Sequence, residues 1–282
     1  MRFLAIFAIL SVLLLAGCAM PGAGASQQGT PQQGAGGTPP EPAASQNQSG
    51  QPATPAQPAG IPSEHVTFSS FSWVIHGTYY DSTAAEPTRG IILLPMLDTG
   101  RDSYPPSLIT RMHDEISNAP VLAMDLRGNG NTTNFGTWQG FQLEDYKAMS
   151  SDVVSAMTYM KLRHPTIKEF YLVGASMGST AAITAAARSP SVIKVAMLSP
   201  GMSYHGVDIG SATETYLHPL FIAASREDRE SADAASQVFA LSPTSDKTLK
   251  IYEGIAHGTD MFEATKYDDE SLEGLLMAFL KK

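Results

Sequence analysis

Phe170-Tyr171-Leu172-Val173-Gly174-Ala175-Ser176-Met177-Gly178-Ser179 runs from an apolar segment through two glycines into a helical pattern. Phe170 to Val173 is a short apolar run that reads as a buried strand, and the alanine-dense segment Ser179 to Arg188 reads as a helix. Between them Gly174 to Gly178 fits G-x-S-x-G. A strand that turns sharply into a helix crowds its own backbone, so glycines stand where a Cβ would collide. The serine is pushed up at the C-terminal edge of the sheet, where a helix N-terminus favours negative charge. Ser176 is the candidate nucleophile.

The same alternation extends in both directions. Val66 to Phe68 and Phe71 to Tyr80 read as an opening strand pair, antiparallel because the connection is short. Gly90–Leu94, Ala119–Met124, Val192–Leu198, Leu220–Ala224 and Thr248–Tyr252 are further strand candidates. Helical patterns fall at Pro106–Asn118, Asp145–Arg163, Ser231–Ala240 and Ser271–Leu280. Short apolar strands alternating with helices predict an α/β domain: a mostly parallel sheet of about eight strands, covered on both faces.

A serine hydroxyl needs a base. His257, in Gly254-Ile255-Ala256-His257-Gly258, follows the strand Thr248–Tyr252, and its small neighbours leave the ring room to turn. His65, His76 and His113 precede the nucleophile in awkward places, and His164 and His218 each precede a proline. The histidine in turn needs an acid to fix its tautomer. The loop after Leu220–Ala224 offers Asp228, with Glu227 as the alternative. The oxyanion of an acyl-transfer intermediate needs two backbone N–H groups. Met177 supplies one, and Leu97 or Met96, in the loop after Gly90–Leu94, supplies the other. Met96, Leu97, Met177, Met202, Tyr204, His205 and Trp138 are candidate pocket residues.

The chain order Ser176, Asp228, His257 resembles the α/β-hydrolase superfamily over about Val66 to Leu280. Asp125-Leu126-Arg127-Gly128-Asn129-Gly130 looks like that family's D-x-R-G-x-G turn, a structural element beside the active site. Ser199-Pro200-Gly201 and the short route to Pro219 resemble the dienelactone-hydrolase and small serine carboxylesterase branch. Dienelactone hydrolases proper carry a cysteine nucleophile, so a serine shifts the expectation from lactones toward ordinary esters. Pro95-Met96 stands where many relatives have His-Gly. About 20 residues separate Leu198 from Pro219, so no large lid is expected. The resemblance implies a carboxylic-ester hydrolase working on a small-molecule substrate through an acyl-enzyme, with no metal and no cofactor.

The ends of the chain add a compartment. Arg2 precedes an apolar run, Phe3 to Leu15, of about 13 residues, too short to span roughly 30 Å of hydrocarbon but suited to a signal peptide. Leu15-Ala16-Gly17-Cys18 resembles a lipoprotein lipobox, which makes Cys18, the only cysteine, the lipidation site. Residues 1–17 then form the signal peptide and 18–62 a linker of Gly, Pro, Gln, Ser, Ala and Thr, disordered by composition. Residues 63–282 form the catalytic domain. The expected location is extracytoplasmic, lipid-anchored to a membrane, and the outer one where a cell has two. With 282 residues, 43% hydrophobic and 16% charged, the chain suits a globular protein. A net charge of −9 without any basic run argues against a nucleic-acid partner.

Overall fold

The computed structural model describes residues 61–282. Cys18, the apolar leader and all but the last two residues of the linker segment lie outside them. β1 (Ser63–Ser70) and β2 (Trp73–Tyr80) are antiparallel. Their side chains alternate: Val66, Phe68 and Ser70 on β1 are buried while their neighbours face water. That period of two marks a sheet edge covered on one face.

The central strands carry no such alternation. β3 (Arg89–Leu94), β4 (Val121–Met124), β5 (Glu169–Ala175), β6 (Val192–Leu198), β9 (Leu220–Ser225) and β10 (Lys247–Tyr252) pair in parallel, and β2 pairs antiparallel with β4. The eight-stranded order is β1-β2-β4-β3-β5-β6-β9-β10. Ile91, Ile92, Leu93 and Leu94 are each 0% exposed, because both faces are covered. At roughly 1.5–3 kcal/mol for each fully buried side chain, such strands dominate the core.

One face is covered by α2 (Leu143–Arg163), α3 (Met177–Ala186) and α5 (Arg229–Leu241), whose Met149, Val153, Ala182 and Val238 join Ile92, Leu172 and Ile222. The other is covered by α1 (Pro106–Glu115), the short α6 (Met261–Ala264) and α7 (Leu272–Lys281), with Met112, Met261 and Leu276 against Ile91, Val173 and Ala223. α1 stops earlier than the Pro106–Asn118 expectation because Ser117 and Asn118 adopt left-handed φ of 54° and 51°. α3 starts two residues earlier than expected, at Met177, because the strand runs through Gly174-Ala175 into the turn itself.

Between β6 and β9 there is no large lid, as expected. A hairpin of two-residue strands, β7 (Ser203–Tyr204) and β8 (Val207–Asp208), is followed by the short α4 (Gly210–Thr215). Periodicity reveals neither, since two residues make no pattern. The fold thus places the ends of β3, β5, β6, β9 and β10 along one edge of the sheet, and each candidate residue follows one of them except Trp138, which follows β4.

Candidate active site

Ser176 sits at the tip of the turn with φ 52° and ψ −119°, a conformation that a non-glycine residue adopts only under constraint. The constraint is visible in the glycines. A Cβ on Gly174 would lie 2.3 Å from Gly178 O, and one on Gly178 would lie 2.3 Å from Leu94 O and 2.6 Å from Pro95 O. The turn is therefore stacked directly on the end of β3. Ser176 N–H donates to Leu198 O at 2.8 Å on the other side, which ties the turn to β6. The side chain remains partly open to solvent.

Asp228 and His257 meet. His257 Nδ1 lies 2.7 Å from Asp228 Oδ2. Asp228 directly precedes α5 at the end of β9, and His257 follows β10. The two loops are also joined by Glu227 N–H, which donates to Gly254 O at 3.0 Å. The Glu227 side chain is exposed, so only its backbone takes part. The histidine is held from both sides: Ser225 Oγ–H donates to Ala256 O at 2.6 Å, and Gly258 N–H donates to Ser199 Oγ at 2.9 Å. Gly258 has φ 56°, and a Cβ there would come within 2.9 Å of Met96 Sδ and 3.4 Å of Ala175 Cβ. The turn bearing His257 thus packs against the residue before Ser176. With Nδ1 given to Asp228, Nε2 is the nitrogen left for a serine proton. No Ser176–His257 hydrogen bond is formed among the described residues, and such bonds are often loose without substrate.

The oxyanion side is built from the loop after β3. Met177 opens α3, so its N–H has no intrahelical acceptor. Neither Met96 N–H nor Leu97 N–H has a partner among the described residues. The next amide, Asp98 N–H, is taken by Asn129 Oδ1 at 2.8 Å, and Asp98 has φ 62°. Asn129 is 3% exposed and donates its own Nδ2–H to Arg127 O. Asp125 accepts from Arg101 N–H at 2.8 Å and Asn131 N–H at 2.9 Å. The Asp125–Gly130 turn therefore clamps the loop that would offer the second donor. Arg127 itself turns inward to a buried pair with Asp152, under the ring of Trp73.

The pocket candidates divide. Tyr204 is close to the chemistry: its hydroxyl lies 3.1 Å from Ser199 O and 3.1 Å from Ser231 Oγ. Burial pushes its phenol pKa up, and hydrogen bonding with the Ser231 and Ser176 hydroxyls partly opposes the shift. Its ring lies over Gly201, where a Cβ would come within 2.6 Å of it. His205 stacks on Tyr146 at 4.3 Å and meets Trp138 edge-on at 5.9 Å. Met96 borders the His257 turn, and Met202 packs on the core. The other histidines lie elsewhere: His164 binds Asp81, His113 bonds Asp114 and Asp81 O, and His65 pairs with His76.

Asn129 and Ser199 stand in stretches that the sequence singles out, but their roles, like those of Ser225 and Ser231, leave no signal there, because they are contacts with residues distant along the chain. No group of three or more His, Cys, Asp or Glu side chains suited to a metal occurs among the described residues.

The family model described as serine aminopeptidase, S33, matches residues 116–213, which include Ser176 but neither Asp228 nor His257. An esterase of Pyrococcus furiosus superposes with a TM-score of 0.62 at 17% identity, over 78% of this chain and 91% of that one. A thermostable carboxyl esterase of Bacillus coagulans gives 0.61 at 15%, over 77% and 97%. A dienelactone hydrolase of Anabaena variabilis gives 0.56 at 16%, over 78% and 96%. No curated protein matches the sequence.

Proposed function

Because the chain has the α/β-hydrolase fold, we propose that it is a serine hydrolase that cleaves carboxylic esters. The observation that carries this reading is the juxtaposition at one sheet edge: a strained serine turn and an Asp228–His257 pair, 2.7 Å apart, whose loop packs on Ala175.

The chemistry follows from the geometry. His257 Nε2 takes the Ser176 proton as Oγ attacks the acyl carbon. Asp228 accepts from Nδ1–H, which fixes the tautomer and stabilises the imidazolium. The carbonyl oxygen becomes an oxyanion facing Met177 N–H and Leu97 N–H, with Met96 N–H as the alternative donor. The C–O bond to the alcohol breaks, and His257 gives that alcohol its proton. Water then enters, yields a proton to His257 and attacks the acyl carbon. The acid leaves and Ser176 recovers its hydrogen.

The same groups serve an amide, and the match to the serine aminopeptidase family supports a peptidase as the second reading. The test is a paired assay of purified protein on short acyl esters and on aminoacyl amides. Ester turnover that falls at least about 1000-fold in Ser176→Ala supports the first reading. Amide turnover alone supports the second, and neither activity sinks both.

The compartment belongs to the same proposal. Its support is the apolar run Phe3 to Leu15 followed by Leu15-Ala16-Gly17-Cys18. Signal-peptide removal before Cys18 and alkylation of its thiol by a diacylglyceryl group, which carries two acyl chains, would give stable anchoring, because two or more acyl chains hold where one is marginal. Metabolic labelling with an alkynyl fatty acid decides it: label in the parent and none in Cys18→Ser is the expected result, and equal label in both contradicts it.

A further inference from the structure

A cleft of about 370 Å³ lies between the loop after β3 and the loop that joins β4 to α2. That volume is within the range of small-molecule sites. Asp98, Asn129, Thr133, Thr137, Gln139 and Trp138 line it, with glycines between them. The chemistry of this wall is narrow. It contains no Lys or Arg, so nothing neutralises an anion. It contains no Leu, Ile, Val or Met, so a long acyl chain gains little there. Hydroxyls, amides, one carboxylate and a single indole remain.

The wall is rigid. Trp138 N–H donates to Gly128 O at 3.0 Å, and Trp138 O accepts from Tyr146 Oη at 2.8 Å. Gly128 has φ 77°, and a Cβ there would come within 2.6 Å of Trp138 N and Phe141 Cζ. His205 meets the indole with ring centroids 5.9 Å apart and planes at 66°. Trp138 Nε1 is buried, so the half-buried ring offers surface rather than a donor. The Asp98 backbone is fixed by the hydrogen bond that its N–H donates to Asn129 Oδ1. The cleft shares the loop after β3 with the serine turn: Asp98, Thr99 and Gly100 line the cleft, and Leu94 O and Pro95 O, at the start of that loop, lie against Gly178. Asp98 follows Leu97, the candidate oxyanion donor, and His205, which meets Trp138 at 5.9 Å, follows Tyr204, whose hydroxyl bonds Ser199 O and Ser231 Oγ.

We propose that this cleft is a subsite for a neutral, hydroxyl-bearing ring or chain of the substrate, laid on Trp138 and hydrogen-bonded by Asp98, Thr133, Thr137 and Gln139. The proposal rests on the ester-hydrolase reading and names its substrate class: esters with a sugar- or polyol-like part.

Two experiments decide it. In the first, saturation-transfer NMR follows methyl hexosides on the full mature chain carrying Ser176→Ala, with no turnover involved. Transfer to the sugar that falls at least about fivefold in Trp138→Ala and in Thr137→Val is expected. No transfer, or transfer indifferent to both changes, overturns the subsite even if Ser176 proves to be a nucleophile. In the second, kcat/KM is compared within two pairs: an acetylated hexose against ethyl acetate, and ethyl gluconate against ethyl hexanoate. Trp138→Ala is expected to lower the hydroxylated-to-plain ratio at least tenfold in one pair. A fall in the first pair places the alcohol in the cleft, and in the second pair the acid. Equal effects on both members of both pairs overturn the proposal.

Discussion

Gly178→Ala puts one methyl group where the structure has least room. Its Cβ would stand 2.3 Å from Leu94 O, 2.6 Å from Pro95 O and 2.8 Å from Leu94 C. A carbon and a carbonyl oxygen at ease are about 3.3 Å apart, so about 1 Å of movement is required. The atoms in the way are backbone, at the end of a strand paired on both sides with β4 and β5, and none of them can rotate aside. Overpacking of this kind destabilises by about 1–3 kcal/mol, and the rigid surroundings favour the upper end. For a domain of this size that lowers Tm by about 6–12 °C at 3 kcal/mol. The same movement displaces the loop bearing Met96 and Leu97, and a misplacement of about 1 Å can cost about 100-fold in rate. Gly140→Ala is the control, since a Cβ there meets nothing within 4 Å. Thermal unfolding followed by circular dichroism, with kcat on a short acyl ester, reads both effects. A Gly178→Ala protein that melts with the parent and keeps its kcat would contradict this steric origin, as would an equal loss in Gly140→Ala.

Three other outcomes follow from the structure. Asp228→Asn should lower kcat about 10³- to 10⁴-fold with the circular dichroism spectrum intact, while Glu227→Gln stays within about twofold; equal losses in the two would move the acid away from Asp228. Arg127→Met leaves the fully buried Asp152 carboxylate without its partner and should destabilise by about 3–5 kcal/mol in urea unfolding, and the double change with Asp152→Leu should recover much of that loss. Arg111 and Lys281 hold the Glu115 carboxyl down at about 2, below its ordinary 4.5. A depressed carboxylate stabilises above its ordinary value and loses that contribution as pH falls through its folded one. Glu115→Gln should therefore melt slightly below the parent at pH 6, with a gap that closes between pH 4.5 and 2 and shrinks in salt because the group is exposed; a gap constant with pH would contradict the assignment.

The serine turn was legible because its demands are local: a Cβ on Gly174 or Gly178 would collide with the turn or the adjacent strand, and the pattern shows in five consecutive residues. The sheet was legible because Ile91 to Leu94 is an unbroken apolar run and Val192 to Leu198 is interrupted only by Lys194, the mark of strands buried on both faces. Asp228 and His257 could be read from their places after β9 and β10, and the structure brings them together. What stayed hidden is tertiary. Asn129 acts on Asp98, 31 positions away, through one side-chain bond. Ser199 and Ser225 fix the His257 turn from neighbouring strands, 59 and 31 positions distant. The stack of His205 on Tyr146 depends on a hairpin too short to leave a period.

The central claim is that Ser176 is a nucleophile activated by His257, and one measurement addresses it directly. The mature protein is treated with a fluorophosphonate, its intact mass is recorded and the modified peptide is sequenced. A single adduct on Ser176 is expected, formed at least about 1000-fold more slowly in His257→Ala. No adduct, an adduct on another residue, or labelling at an unchanged rate in His257→Ala would contradict it.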